Sequence, residues 1–205
     1  MKWPDFLRLV SELPLFDLPT AVQLSGEPRS RVVTQLSRWI GAEKVVPLRR
    51  GLYSVGALYR KPRLSPLQVA NEVYRPSYLS CLWALSFYGL VPDAVPTYQS
   101  VTPRVTRRFA NALGTFAYST LKQGLFWGAA THQVDGVSAS IAEPEKALLD
   151  LWHLTPGEWT RDRLAAMRFQ QTERIDRDRL DRYADRWQSP RIRRAASRWL
   201  GLVEA

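Results

Sequence analysis

Apolar positions in the first third of the chain recur at helical spacing and then give way to two short apolar runs. Over Asp5 to Leu13, Phe6, Leu9, Val10 and Leu13 share one helical face, and Leu18 to Leu24 supplies a second, shorter helix. Ser25-Gly26-Glu27-Pro28 reads as a turn. Gly26 suits the residue just past a helix end, and Pro28 suits a first helical turn, where its missing N–H has no partner anyway. In the following helix Val33, Leu36 and Ile40 are expected to face a core, with Arg31, Thr34, Gln35 and Arg38 on the opposite face. Lys44 to Leu48 and Leu52 to Val55 then read as strands around Arg49-Arg50-Gly51, where Gly51 supplies the positive φ of a tight hairpin. Helix, helix, turn, basic helix and hairpin together predict an amino-terminal winged helix-turn-helix over residues 1–60.

Periodicity breaks between Gly56 and Pro66, where Arg60-Lys61-Pro62-Arg63 and Ser65-Pro66 intervene. Beyond the break, Leu67 to Tyr74 is expected to be a short helix, and Ser77 to Gly89 a longer one, capped by Ser77 and ended by Gly89. Tyr98 to Val101, Thr115 to Leu121, Thr131 to Val134 and Val137 to Ile141 are short β-branched or aromatic runs between Gly, Pro or Asn, and read as strands. Asp135-Gly136 is a two-residue hairpin signal. Glu143 to Leu154 returns to helix, with Ala147, Leu148, Leu151 and Leu154 as its apolar face. Asp176 to Trp187 alternates acids and arginines around a stripe of Leu180, Tyr183, Ala184 and Trp187. The fold class is therefore α+β: the winged helix, a mixed α/β domain with short antiparallel strands over 61–155, and an Arg-rich helical tail over 156–205.

Charge adds a direction to this outline. The 205 residues hold 29 Lys and Arg against 19 Asp and Glu, a net +10 that favours polyanionic partners. Hydrophobic residues at 45% suffice for packed cores. The longest apolar run, Tyr78 to Leu90, is broken by Ser80 and Ser86 and is too short to span a bilayer. With no signal-peptide pattern at the start, a cytoplasmic protein without membrane contact is expected. The single cysteine, Cys81, reads as a small buried hydrophobe.

The basic helix carries residue types that read base edges and phosphates: Arg matches guanine O6 and N7, Gln matches adenine, and Thr packs on a thymine methyl. Arg29, Ser30, Arg31, Thr34, Gln35 and Arg38 are the expected major-groove set, with Arg49 and Arg50 on the flanking backbone or minor groove. The competing reading is a winged helix used for protein contacts, its arginines merely solvated. Glu143, Glu145, Lys146, Asp150 and His153 cluster within eleven residues, yet no nucleophile–base pair or metal-ligand spacing accompanies them. A helix start favoured by Pro144 and by Glu145 at the positive dipole end explains them better than catalysis. His132 and His153, the only histidines, define no metal site, and no phosphate-cradling glycine loop is present, so neither metal nor cofactor is expected. Arg104, Thr106, Arg107 and Arg108 form a basic patch read as a solvated loop, an extension of a phosphate footprint, or a contact for RNA or an acidic protein. In the tail, Arg191, Arg193, Arg194 and Arg198 are unopposed in sequence until Glu204, which leaves an anionic partner or plain solvation.

Four segments of the middle region carry a family resemblance. Tyr78-Leu79-Ser80-Cys81-Leu82-Trp83-Ala84-Leu85-Ser86-Phe87-Tyr88-Gly89-Leu90-Val91-Pro92 resembles the S-x-x-S-A-L-x-x-Y-G-L-I-P segment of AbiEi-type antitoxins. Ser100-Val101-Thr102 with Arg107-Arg108-Phe109, Gly114-Thr115-Phe116-Ala117-Tyr118, and Ile141-Ala142-Glu143-Pro144-Glu145-Lys146-Ala147-Leu148-Leu149-Asp150 follow in the family's order. The resemblance covers about residues 5 to 155, and implies a regulator of a type IV toxin–antitoxin system. It would bind double-stranded DNA repeats in its own promoter, as a monomer or weak dimer, and counter a partner nucleotidyltransferase toxin. The alternatives are a protein-binding antitoxin or stand-alone regulator without specific DNA readout, and an enzyme acting on RNA or nucleotides.

Overall fold

Asp17 and Gly26 set the limits of a short helix near the start of the chain. In the computed structural model, which describes residues 1–203, Asp17 accepts the Thr20 N–H at 2.8 Å as an N-cap, and Gly26 closes the helix at φ 64°. The elements around it run α1 (Trp3–Val10), β1 (Phe16–Asp17), α2 (Leu18–Ser25), α3 (Arg29–Gly41), β2 (Val45–Arg49) and β3 (Leu52–Val55). β3 is the middle strand, with β1 and β2 antiparallel on either side. The core beneath includes Phe6, Val10, Phe16, Ala21, Val32, Leu36, Trp39 and Val55. Phe6 stacks on Trp39 with ring centroids 4.7 Å apart, and Trp3 meets Trp39 edge-on at 5.2 Å.

The buried stripe of α3 is Val32, Leu36 and Trp39, not Val33, Leu36 and Ile40; Val33 is 46% exposed. Trp39 brings far more apolar surface than Ile40, and its stack on Phe6 turns the helix so that Val32, one turn or two away from Leu36 and Trp39, points inward. Leu9 of α1 is likewise exposed while Phe6 and Val10 are buried.

The chain divides into two compact units, the first comprising residues 1–69 with 109–113 and the second starting at residue 70. After α4 (Pro66–Val73) come β4 (Tyr78–Leu79), α5 (Cys81–Phe87), β5 (Thr97–Thr102), β6 (Arg107–Asn111), β7 (Gly114–Thr120), β8 (Ala129–Val134), β9 (Val137–Ala142) and α6 (Pro144–Leu154). Then follow α7 (Arg161–Ala166), α8 (Arg177–Trp187) and α9 (Pro190–Val203). The six-stranded sheet has the order β6-β7-β5-β4-β9-β8. β4 runs antiparallel to β5 and β8 to β9, but β5–β7 and β4–β9 are parallel, so the sheet is mixed where antiparallel strands were expected. Asp135 and Gly136, at φ 50° and 80°, form the expected two-residue turn between β8 and β9.

Two elements depart from the periodicity. Ser77 to Gly89 is not one helix: Tyr78 and Leu79 form a strand between β5 and β9, and α5 starts only at Cys81. A two-residue strand buried on both faces has the same apolar signature as a buried helical turn. Arg107 and Arg108, in the patch for which a solvated loop was one reading, belong to the edge strand β6, whose charged exposed pattern is typical of a protected sheet edge.

The most consequential packing lies on α6, where every side chain from Glu145 to Trp152 is buried. Lys146 and Asp150, both inaccessible to solvent, pair across one helical turn. Lys146 Nζ also donates to the Tyr78 hydroxyl at 2.8 Å, and Asp150 accepts from Ser80 Oγ at 2.6 Å. The ammonium faces the rings of Trp187, Trp127 and Tyr78, at 4.6, 5.1 and 5.4 Å from their centroids. Burial pushes the Lys146 ammonium below and the Asp150 carboxyl above their usual ranges, and the charge of each opposes the shift of the other. Among the described residues no helix is long and apolar enough to cross a membrane.

Lys146→Ala or Asp150→Ala alone strands a buried charge and is expected to cost about 3–5 kcal/mol in urea unfolding, whereas Lys146→Met with Asp150→Leu should recover most of that loss. Single variants that unfold within about 0.5 kcal/mol of the parent, the ordinary range for surface substitutions, would remove the pair from this role.

Candidate nucleic-acid interface

The turn before α3 is held by short polar contacts. Ser25 Oγ donates to the Val22 carbonyl at 3.1 Å and accepts the Glu27 N–H at 3.3 Å, so the chain leaves α2 at Gly26 and enters α3 with Pro28 as its N-cap residue. With Val32, Leu36 and Trp39 anchored inward, successive residues at about 100° intervals leave Ser30, Thr34 and Arg38 at the centre of the outward face and Arg31 and Gln35 at its margin. These five side chains and Met1 line a shallow concavity of about 490 Å³. Of the expected set, Arg29 is exposed but lies outside this concavity, on the side of α3 nearer its core stripe.

Glu27 places a carboxylate at the edge of this surface. It accepts from the Met1 terminal ammonium at 2.8 Å and from Arg31 Nη1 at 2.9 Å, and these hydrogen bonds, the ammonium's first, hold it below the usual carboxylate range. Thr34 Oγ1 donates back to the Ser30 carbonyl at 3.0 Å, an exposed contact that an incoming acceptor can replace.

At the β2–β3 hairpin, Gly51 takes φ 79° and the register shifts between Pro47 and Arg49. The two arginines differ in consequence. Arg49 is half-buried, donates to the Arg50 carbonyl at 2.8 Å, and adds its charge to the Thr20 hydrogen bonds that lower the Asp17 pKa. Arg50 is exposed at the tip.

In the second unit, Arg104 Nη1 donates to the Arg75 carbonyl at 2.9 Å and its guanidinium lies over the Tyr74 ring at 4.3 Å, so it is a packed residue rather than a loose one. Arg107 and Arg108 are exposed on β6, and Thr106 faces Thr120 at 3.0 Å.

The tail arginines meet partners that lie outside their own stretch of sequence. Arg191, Arg193, Arg194 and Arg198, unopposed along the sequence, all have partners in the fold. Arg191 donates to the carbonyls of Trp152, His153, Thr155 and Gly157, at and just beyond the carboxyl end of α6. Arg193 pairs with Asp181 and Asp185 of α8, and both Arg194 and Arg198 pair with Glu158. Asp181 and Asp185 meet Arg193 because α8 and α9 pack together, and Glu158, just before α7, meets Arg194 and Arg198, so all four arginines have partners within the fold.

The acidic cluster on α6 is also accounted for by packing. Glu145, 1% exposed, accepts the Asp176 N–H at 2.7 Å, Glu143 accepts from the Tyr183 hydroxyl, and His153 Nδ1 lies 3.4 Å from Trp187 Nε1. His132 Nε2 is 3.0 Å from the Tyr88 hydroxyl, whose pKa burial pushes up to about 12. Among the described residues no group of three His, Cys, Asp or Glu side chains converges as a metal ion requires. Cys81 is buried as expected, which pushes its thiol well above the usual range.

The chain matches no family model, and no curated protein is similar to it.

The Glu158 cluster gives a pH test. Hydrogen bonds from Arg194 and then Arg198 lower the folded-state pKa of Glu158, so its contribution is fully present above the ordinary value of 4.5 and is lost as pH falls through the lower folded value. Glu158→Gln should therefore flatten part of the acid limb of stability measured by urea unfolding between about pH 5 and 3. An unchanged pH profile would show that the contacts carry no net stability.

Proposed function

We propose that residues 1–60 form a winged helix-turn-helix that reads double-stranded DNA, and that the protein represses its own promoter as an antitoxin of the AbiEi kind in the cytoplasm. One observation carries the DNA reading. The exposed Ser30, Arg31, Thr34 and Arg38 and the half-buried Gln35 share one concave surface on α3, backed by a helix face locked into an aromatic core. A rigid helix presenting hydrogen-bonding side chains of both donor and acceptor type meets the requirements of major-groove readout. The order of helices and strands, with a small sheet ending in the β2–β3 hairpin, supports the same reading, and Arg50 at the hairpin tip suits a flanking phosphate or the minor groove.

Within this reading the residues divide by role. Arg31 and Arg38 supply charge and bidentate donors, Thr34 and Gln35 the adaptable contacts, and Ser30 a hydroxyl near the amino end of α3. Arg49 supports the hairpin instead of the DNA, and Arg29 contributes a longer-range positive charge. Glu27 restrains Arg31 in the free protein and lowers the local positive potential. The antitoxin half, countering a nucleotidyltransferase toxin, rests on the motif resemblance, whose matching segments build β4–α5, β5, part of β6, β7 and β9–α6.

Fluorescence anisotropy on duplex DNA from the upstream region, against a shuffled duplex, tests the DNA reading. Arg31→Ala with Arg38→Ala is expected to leave the circular dichroism spectrum unchanged and abolish the preference for the upstream duplex, with the logarithmic salt slope falling by about 0.9 for each phosphate contact removed. Glu27→Ala should act in the opposite direction and tighten binding. Equal, steeply salt-sensitive binding of both duplexes by parent and double variant alike would refute sequence readout by α3.

A further inference from the structure

We propose that the outer edge of β8 joins β8 of a second copy of this chain, antiparallel about a two-fold axis at Thr131. β8 is an end strand of the six-stranded sheet, and it pairs with β9 along its whole length without a register shift. Ala129, Thr131 and Gln133, its alternate residues, are exposed.

The direction of the β8 backbone groups follows from β9. Ser140 stands opposite Thr131, and its carbonyl and N–H are both engaged by the Asn71 side chain, at 3.2 and 2.7 Å, on the side away from β8. Opposite residues of an antiparallel pair either exchange both hydrogen bonds or turn both groups apart, so Thr131 turns its N–H and carbonyl outward. Alternation along the strand extends this to Ala129 and Gln133, and Gly128, out of step with them, directs its carbonyl inward to the Glu143 N–H at 2.9 Å. The outward groups of these three residues have no hydrogen-bond partner among the described residues.

Such an edge is a template for another strand, and proteins usually guard it with charge, proline or a bulge. The opposite edge of the sheet, β6, is guarded by the exposed Arg107 and Arg108. β8, Ala-Ala-Thr-His-Gln-Val, carries no Lys, Arg, Asp, Glu or Pro and no bulge.

The occupant is a second copy because the edge complements itself. With Thr131 opposite Thr131 of the second copy, Ala129 falls opposite Gln133, every outward N–H and carbonyl is paired, and no like charges meet. A slip of two residues would leave one of the three outward residues unpaired by strand in each copy. The centred register also carries the exposed Asp135, at the hairpin tip, to the level of Trp127 of the second copy. The exposed Arg186 lies over that ring, 4.2 Å from its centroid, so an acid of each copy approaches a cation of the other. One patch serving both copies is the isologous geometry of two-fold dimers.

Sedimentation equilibrium of the full chain at low ionic strength tests this proposal. One short strand from each copy makes a small interface, so a monomer–dimer equilibrium with a dissociation constant of about 10–100 µM is expected. Thr131→Lys sets two ammonium groups opposite each other at the axis and should weaken the dimer about fivefold, as should Thr131→Glu, whereas an equimolar mixture of the two variants should form a mixed dimer at least as tight as the parent's. Thr131→Pro removes the central outward N–H of each copy, leaves the ladder to β9 in place, and should weaken the dimer about tenfold with an unchanged circular dichroism spectrum. The proposal is overturned by a parent chain that stays monomeric up to about 1 mM, by a dimer that Thr131→Lys leaves intact, or by a mixture of the two charged variants that associates no better than either alone.

Discussion

The ion pair between Lys146 and Asp150 is the constraint on which the second unit is organised. Neither charge meets water, and bringing both into a dry interior costs several kcal/mol per ion unless every hydrogen-bonding position is filled. The fillers come from different parts of the chain: Tyr78 from β4, Ser80 from the β4–α5 junction, Trp127 from the turn before β8, and Trp187 from α8. Each of those elements is held to α6 by a contact with the buried pair. Gly128 belongs to the same arrangement, since a Cβ there, at φ 72°, would stand 3.0 Å from the Lys146 stem. Only five of the 29 basic residues are lysines, and this position takes one of them. A compact ammonium on a flexible stem fits among three rings, whereas a planar guanidinium with five N–H groups would leave donors unfilled.

The same logic, applied to arginine, redraws the charge map of the protein. The net +10 is not spread evenly as a polyanion-binding surface, because several arginines of the tail are engaged by carbonyls and acids of the fold. Arg191 gathers four carbonyls around the end of α6, doing the work of a helix C-cap at a distance of some forty residues in sequence. Arg163 likewise donates to the carbonyls of Pro156 and Glu158 and lies over the Trp159 ring at 4.2 Å. By contrast Arg38 and Arg50 in the first unit, and Arg107 and Arg108 on β6, stand exposed. Net charge therefore sets a general attraction to anions, while the fold selects which few cations are presented.

Glu27 shows how closely that selection is tuned on α3. A carboxylate beside Arg31 reduces attraction to any phosphate, yet it orders Arg31 and the amino terminus on the face proposed to read DNA. In the proposed DNA reading, the group that weakens indiscriminate binding also preorganises the contact, a trade that would favour specificity over raw affinity.

By itself the sequence determined the local elements whose signals lie within a few residues. Gly26, Gly51 and Asp135-Gly136 marked their turns because positive φ is a property of single positions, and the stripe of Leu180, Ala184 and Trp187 marked α8 because its periodicity is long and its other faces are charged. The exposed face of α3 was legible for the same reason: Arg31, Thr34, Gln35 and Arg38 are separated by helical intervals. What only the tertiary structure decided depends on partners far apart in the chain. Tyr78 and Leu79 became a strand because β5 and β9 flank them, α3 rotated to bury Trp39 because Phe6 waits to stack on it, and Arg191, Arg193, Arg194 and Arg198 lost their freedom to α6, α8 and Glu158. Lys146 and Asp150 fell in a charged cluster read as a helix start and proved to be fully buried, since burial is set by what packs around a residue and not by the residue itself.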